Sequence, residues 1–178
     1  FNGDGYDDAW IEEAEKRGLS NLRTTPEALA HMLDEKNVEL FETHKVFSLT
    51  ELQARTEVLL ENYCKIINIE ALTMLDMARK GILPAMSKYS SELAVTAREK
   101  SALIGKCNAK YEIEQVKMFS QWIKTAYEVA QRLDENLQKS KSIKNMANLA
   151  DFYRVHILED MRALRLACDS MENVASIE

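Results

Sequence analysis

Between Val116 and Leu137 the apolar residues return at alternating steps of three and four: Val116, Phe119, Ile123, Ala126, Ala130, Leu133 and Leu137. A strand alternates with period two and would scatter these side chains over both faces. An α-helix at about 3.6 residues per turn aligns them in one seam. The spacing predicts a helix from about 110 to 138, and a rod with an apolar seam must lie against something that covers it.

The rest of the sequence supplies the cover. Lys139 to Ser142 is polar and too short for anything but an antiparallel return. Beyond it a final helix starts near Ile143, with Met146, Ala150, Tyr153, Ile157, Met161, Leu164, Cys168 and Met171 as its buried face. Upstream, Ser48-Leu-Thr-Glu51 fits a capping box, in which serine and glutamate satisfy the orphan N–H groups of a helix start. A long helix follows, with Leu60, Cys64, Ile67, Ala71, Met74 and Ala78 in one row and Leu52, Leu59, Tyr63 and Ile66 in a second, which implies burial from two sides. Gly81 and Pro84 interrupt this pattern, because proline removes a ladder hydrogen bond and crowds the carbonyl four residues back. Met86, Tyr89, Leu93 and Ala97 resume it, so a kink or short break is expected near Gly81 to Pro84, not a domain boundary. Gly105 to Asn108 reads as a turn.

The first 47 residues differ. Asn-Gly and Asp-Gly pairs within residues 1 to 6 mark a loop. From Asp7, acids in the first turn, bases in the last and Gly18 beyond predict a helix over 7–17. Thr25-Pro26-Glu27 opens another that runs to about Asp34, since proline at the first helical position gives up only an N–H that would be unpaired anyway. Val38 to Phe47 is short and ambiguous, one helical turn or two. The fold class is therefore all-α: an elongated antiparallel bundle of three to four long helices over 48–178, preceded by a loop and short helices over 1–47. With only five glycines and two prolines in 178 residues, a turn-rich β sandwich is excluded.

Charge and thiols narrow the setting. Twenty-three basic residues against twenty-nine acidic ones leave a net charge of -6, which repels polyphosphate and argues against nucleic acid. Cys64, Cys107 and Cys168 are odd in number and scattered, resembling neither a disulfide framework nor a zinc set. Reduced thiols in a cytoplasmic protein are the simplest account. No run of about 18 apolar residues exists to span a membrane, and the acidic start around Asp4, Asp7 and Asp8 reverses the basic front of an export signal. The chain opens on Phe1 without methionine, and its helical pattern still runs through Met171 and Val174, which suggests a piece of something longer.

Patterns that carry chemistry are missing. His31, His44 and His156 lie far apart, without His-Glu-x-x-His or Glu-x-x-His spacing for zinc or di-iron. No Gly-x-x-x-x-Gly-Lys-Ser/Thr string is present, and Gly3-Asp4-Gly5 lacks the strand a dinucleotide fingerprint needs. The acid pairs Glu12 and Glu13, Glu112 and Glu114, and Glu159 and Asp160 read as surface charge before catalytic carboxylates. Cys64 and Cys168 fall within seams and read as small buried residues before reactive thiols. Trp10, Trp122 and Tyr127 read as packing before a ligand cage, although Trp122 lies one residue off its seam and could mark an intermolecular face. Met74, Met77 and Met86 read as core filling before a binding groove. No residue is named as catalytic, cofactor-binding or metal-binding.

Longer strings say more. Phe1 to Leu22, followed by Thr24-Thr-Pro-Glu-Ala-Leu29, resembles the stretch that leaves the catalytic domain of type III glutamine synthetases. Glu61 to Ala78 (Glu-Asn-Tyr-Cys-Lys-Ile-Ile-Asn-Ile-Glu-Ala-Leu-Thr-Met-Leu-Asp-Met-Ala) and Ile82-Leu-Pro-Ala85 resemble the helical C-terminal extension of that family. The matches cover residues 1 to about 90, and 110–178 agrees in helical layout alone. The resemblance implies a parent that joins ammonia to glutamate with ATP and Mg or Mn through a γ-glutamyl phosphate. Its metal carboxylates, ATP-binding residues and phosphate-contacting arginines lie upstream, so none maps here and no cofactor is expected in this segment. It further implies assembly or regulation as the role, no turnover alone, and as partners the upstream catalytic domain and neighbouring subunits of a homo-oligomer. The other reading of the residues is a stand-alone helical interaction module with no enzyme activity.

Overall fold

The computed structural model describes residues 4–175, with the side chains of Lys106 and Cys107 left aside. Two compact units divide the chain, Phe1–Tyr63 and Cys64–Glu178, and the division falls inside a helix. The Asn-Gly pair at residues 2 and 3, the side chain of Cys107 and the last three residues lie outside what is described.

The first unit is built by local chemistry. Asp4 accepts from the Tyr6 backbone N–H at 2.9 Å, which forms the turn expected from Asp-Gly. Helix α1 (Asp8–Lys16) is capped by Asp7, whose carboxylate accepts from the Ala9 N–H. It ends at Gly18, at φ 73°, with Gly18 N–H donating to Glu15 and Leu19 N–H to Ala14. That pair of bonds is a Schellman closure, and it needs the left-handed conformation glycine adopts without strain. Helix α2 (Thr25–Ala30) has Pro26 in its first turn, and Glu27 reaches back to the Thr24 N–H at 3.1 Å. A 3₁₀ turn over His31–Leu33 extends it to Asp34, as expected. The short stretch after it is a full helix, α3 (Glu35–Thr43). Ser48 and Glu51 form their reciprocal cap at the start of α4 (Leu49–Met77).

In the second unit α4 passes through a single π turn, Ala78–Ile82, into α5 (Leu83–Ile104). Leu83 N–H donates to the Ala78 carbonyl five residues back, and Pro84 then sits in the first turn of α5. The interruption expected at Gly81 to Pro84 thus takes the form of a wider turn, not a break: one extra residue resets the ladder so that proline falls where no donor is required. A hairpin opened by Gly105 at φ 90°, and closed by a 3₁₀ turn over Lys106–Ala109, leads into α6 (Lys110–Ser140). The last rod begins at Met146, not near Ile143, because Asn145 caps it by accepting from the Asn148 N–H at 3.0 Å. It comprises α7 (Met146–Phe152), a second π turn (Tyr153–Ile157) and α8 (Leu158–Glu172).

The seams are buried largely where the spacing placed them, with Met74, Val116 and Ile123 only half-buried. Phe119, Ala126, Ala130, Leu133 and Leu137 of α6 face inward, as do Ala150, Tyr153, Ile157, Leu164, Cys168 and Met171 of the last rod. From α4 come Cys64, Ile67, Ala71 and Leu75, the last in place of the expected Met74, and from the π turn comes Ala78. No strand occurs among the described residues, and the fold is all-α.

Candidate functional site

Two buried carboxylates stitch α5, α6 and α8 together. Glu112, at the start of α6, is only 6% exposed and accepts from Lys100 Nζ near the end of α5 at 2.5 Å. That hydrogen bond holds the Glu112 carboxyl below the usual carboxylate range. Asp160 of α8, 4% exposed, accepts from Arg132 Nε at 2.5 Å and Asn136 Nδ2 at 2.7 Å. At the other end of α5, Arg79 donates to Asp134 at 2.7 Å and to Gln131, and Asp134 is likewise shifted down by that bond. Residue numbers descend along α6 as they rise along α5, from Arg79 with Asp134 through Tyr89 with Phe119 to Lys100 with Glu112, so the two helices are antiparallel. A polar contact of a different kind ties α4 to the last rod: Tyr153 donates to Asn68 at 3.1 Å.

These contacts correct one expectation. Glu112 and Asp160 were grouped with surface acids, yet both are buried and each holds a cation that lies far away in sequence. Their companions behave as expected: Glu12 and Glu159 are exposed, Glu13 pairs with Arg17, and Glu114 pairs with Lys117. Glu13, Glu112, Glu114 and Asp160 are thus each held by a cation.

The thiols and rings follow suit. Burial raises Cys64 to about 11, and burial with the nearby Glu172 and Asp169 charges raises Cys168 to about 11. Burial therefore disfavours the thiolate of both at neutral pH. His31 pairs with Asp34 at 2.9 Å, and His156 lies against the Phe152 ring. Trp122 meets Phe119 edge to face at 5.5 Å, so its ring is occupied in packing, whereas Tyr127 stays exposed and accepts from Gln131. No cluster of three or more His, Cys, Asp or Glu side chains able to hold a metal occurs among the described residues, nor does any helix long and apolar enough to cross a membrane.

Two surface features remain. Of the second apolar row expected on α4, Leu52 is buried and Tyr63 half-buried, while Leu59 and Ile66 are exposed; Ile69, Leu72 and Met77, which lie outside that row, are exposed as well. At about 100° per residue these side chains turn away from the seam through Cys64, Ala71 and Ala78. Beside them, α4 and α8 border a groove of about 620 Å³. Met74, Met77, Met161 and Leu164 line its apolar part, and Glu70, Arg165, Asp169 and Glu172 its charged part. Two of the three methionines read as core filler therefore line an open surface. Sequence spacing alone could not show this, because it does not reveal where two helices diverge.

Comparison with known proteins places this architecture. The family model described as the glutamine synthetase C-terminal domain matches residues 1–101. The chain belongs to that family. It is 35% identical over 173 residues to a glutamine synthetase of Butyrivibrio fibrisolvens, spanning 97% of this chain and 25% of that protein. With the type-3 glutamine synthetase of Dictyostelium discoideum it shares 30% identity over 178 residues, or 98% of this chain and 24% of that one. A glutamine synthetase of Bacteroides fragilis (strain YCH46) is 39% identical over 93 residues, 52% of this chain and 13% of the relative. The chain thus spans about a quarter of the length of the first two relatives. Both alignments also run through the second half, where the sequence had suggested only a similar helical layout.

Proposed function

We propose that this chain is the accessory helical region of a longer ligase that joins ammonia to glutamate at the expense of ATP, and that it contributes contacts to assembly or regulation instead of reacting groups. The family match supports the parent activity. The open face of α4 carries the rest: Ile66 and Leu72, outside the groove, stand exposed on a helix whose opposite side is already buried. Covering apolar surface releases roughly 25 cal/mol per Å², so a row of this kind is a contact waiting for its other half. Its other half is the upstream catalytic domain or a neighbouring subunit of a homo-oligomer in the cytoplasm.

ATP and Mg or Mn belong to the parent's catalytic part. The residues here do not fit them: the buried acids Glu112 and Asp160 are held by Lys100 and Arg132, and Arg79 is held by Asp134. The match to only about a quarter of each full relative favours this reading over a stand-alone module.

The test is sedimentation velocity on the intact ligase with Ile66→Glu and Leu72→Glu combined. Both positions are exposed, so the chain's own helicity and melting should be unchanged while the assembly loses mass. An assembly of wild-type size would remove the α4 face from its supposed role.

A further inference from the structure

The groove between α4 and α8 has a shape, a lining and a charge that together select a class of partner. Its α4 wall runs from Ile69 to Ala78 and its α8 wall from Met161 to Glu172. At about 1.5 Å per residue that is a trough on the order of 15 Å long, about three turns of a helix laid between two helices. Met74, Met77 and Met161 stand in the lining, and the unbranched, polarisable side chain of methionine adapts to differing apolar surfaces. On the rim three acids face one base. Arg165 is engaged with Asp169 at 3.4 Å, and among the described residues Glu70 and Glu172 pair with no cation. Burial chiefly raises the Cys168 thiol in the lining, and the Glu172 and Asp169 charges beside it add to the rise.

We propose that this groove docks a basic amphipathic helix of a partner protein, with apolar residues on the methionines and lysines or arginines on Glu70 and Glu172. Helix-in-groove recognition reads apolar anchors at one-turn spacing, and opposite charge fixes the register and speeds encounter. An acidic or neutral helix would meet the same apolar floor but lose the rim, and an anionic membrane surface would be repelled. The inference rests on the groove alone and stands whether or not the chain serves a ligase.

A fluorescein-labelled synthetic helix of leucine and lysine, its leucine and glutamate counterpart, and anionic lipid vesicles provide the test against the 178-residue chain. Anisotropy should show saturable binding of the lysine helix, weakened by salt, and no binding of the glutamate helix or the vesicles. Glu70→Lys with Glu172→Lys, both exposed, should weaken binding by about 10-fold or more. Glu99→Lys with Glu135→Lys changes net charge equally at exposed sites outside the groove and should leave affinity within about 2-fold. Met77→Gln, at a 60% exposed position, should weaken binding without loss of helicity. Equal losses in the two charge variants, tight binding of the glutamate helix, or a preference for vesicles would overturn the proposal.

Discussion

Helices α1 to α3 and helix α6 are both regular helix, but they are held in opposite ways. No residue of α1, α2 or α3 is buried, and what defines them is at their ends: Asp7, Gly18, Thr24 and Glu27. Helix α6 has no side-chain cap at its start and buries Phe119, Ala126, Ala130, Leu133 and Leu137. Short helices are marginal in water and depend on satisfied end groups, whereas a helix of this length draws its stability from the face it buries. The consequence is a difference in what each region can lose.

Truncation of the α6 seam should cost most. Phe119 is fully buried and contacts both Tyr89 and Trp122 edge to face, so Phe119→Ala should lower unfolding free energy by about 3–5 kcal/mol in urea titrations followed by circular dichroism. A loss below about 1 kcal/mol would mean that the α5–α6 interface is not where stability resides.

A smaller effect belongs to the carboxylates. Because Lys100 depresses the folded-state pKa of Glu112, its contribution is fully present above the ordinary glutamate value of 4.5 and is lost as pH falls through the lower folded value. Asp134, depressed by Arg79, acts in the same direction below its ordinary 3.8. Stability should therefore decline on acidification below about pH 4.5, and Glu112→Gln should flatten that decline in melting curves recorded across the acid range. An unchanged slope would contradict the shift.

The smallest effect should fall in the first unit. Gly18→Ala forces a side chain into φ 73° and should weaken the end of α1 by about 1 kcal/mol, seen as faster amide exchange at Gly18 and Leu19 positions. Global melting should barely move, because α1 buries nothing. A large drop in melting temperature would show that the two regions are less different than their burial indicates.

The same contrast explains what was legible. Caps and seams are local, so Asp7, Pro26, Ser48 and the rows on α4, α6 and α8 could be read directly. Partners brought together by folding could not: Lys100 and Glu112 meet only because Gly105 reverses the chain between them. Likewise nothing in residue type marks Asp160 as buried until Arg132 and Asn136 arrive from α6. The π turn over Ala78–Ile82 announced itself through Pro84, but the one over Tyr153–Ile157 has neither proline nor glycine. Two successive steps of four, Tyr153 to Ile157 to Met161, are its trace in the spacing. The second row of α4 implied burial from two sides, yet of its four members Leu52 alone is buried, Tyr63 is half-buried, and Leu59 and Ile66 are exposed.

The central proposal is that these 178 residues supply contacts and that bond making falls to the rest of a longer ligase. Phosphate release by the isolated chain with glutamate, ammonia, ATP and Mg tests it most directly. The rate should match that of ATP in buffer alone; release that depends on both glutamate and ammonia would contradict the claim.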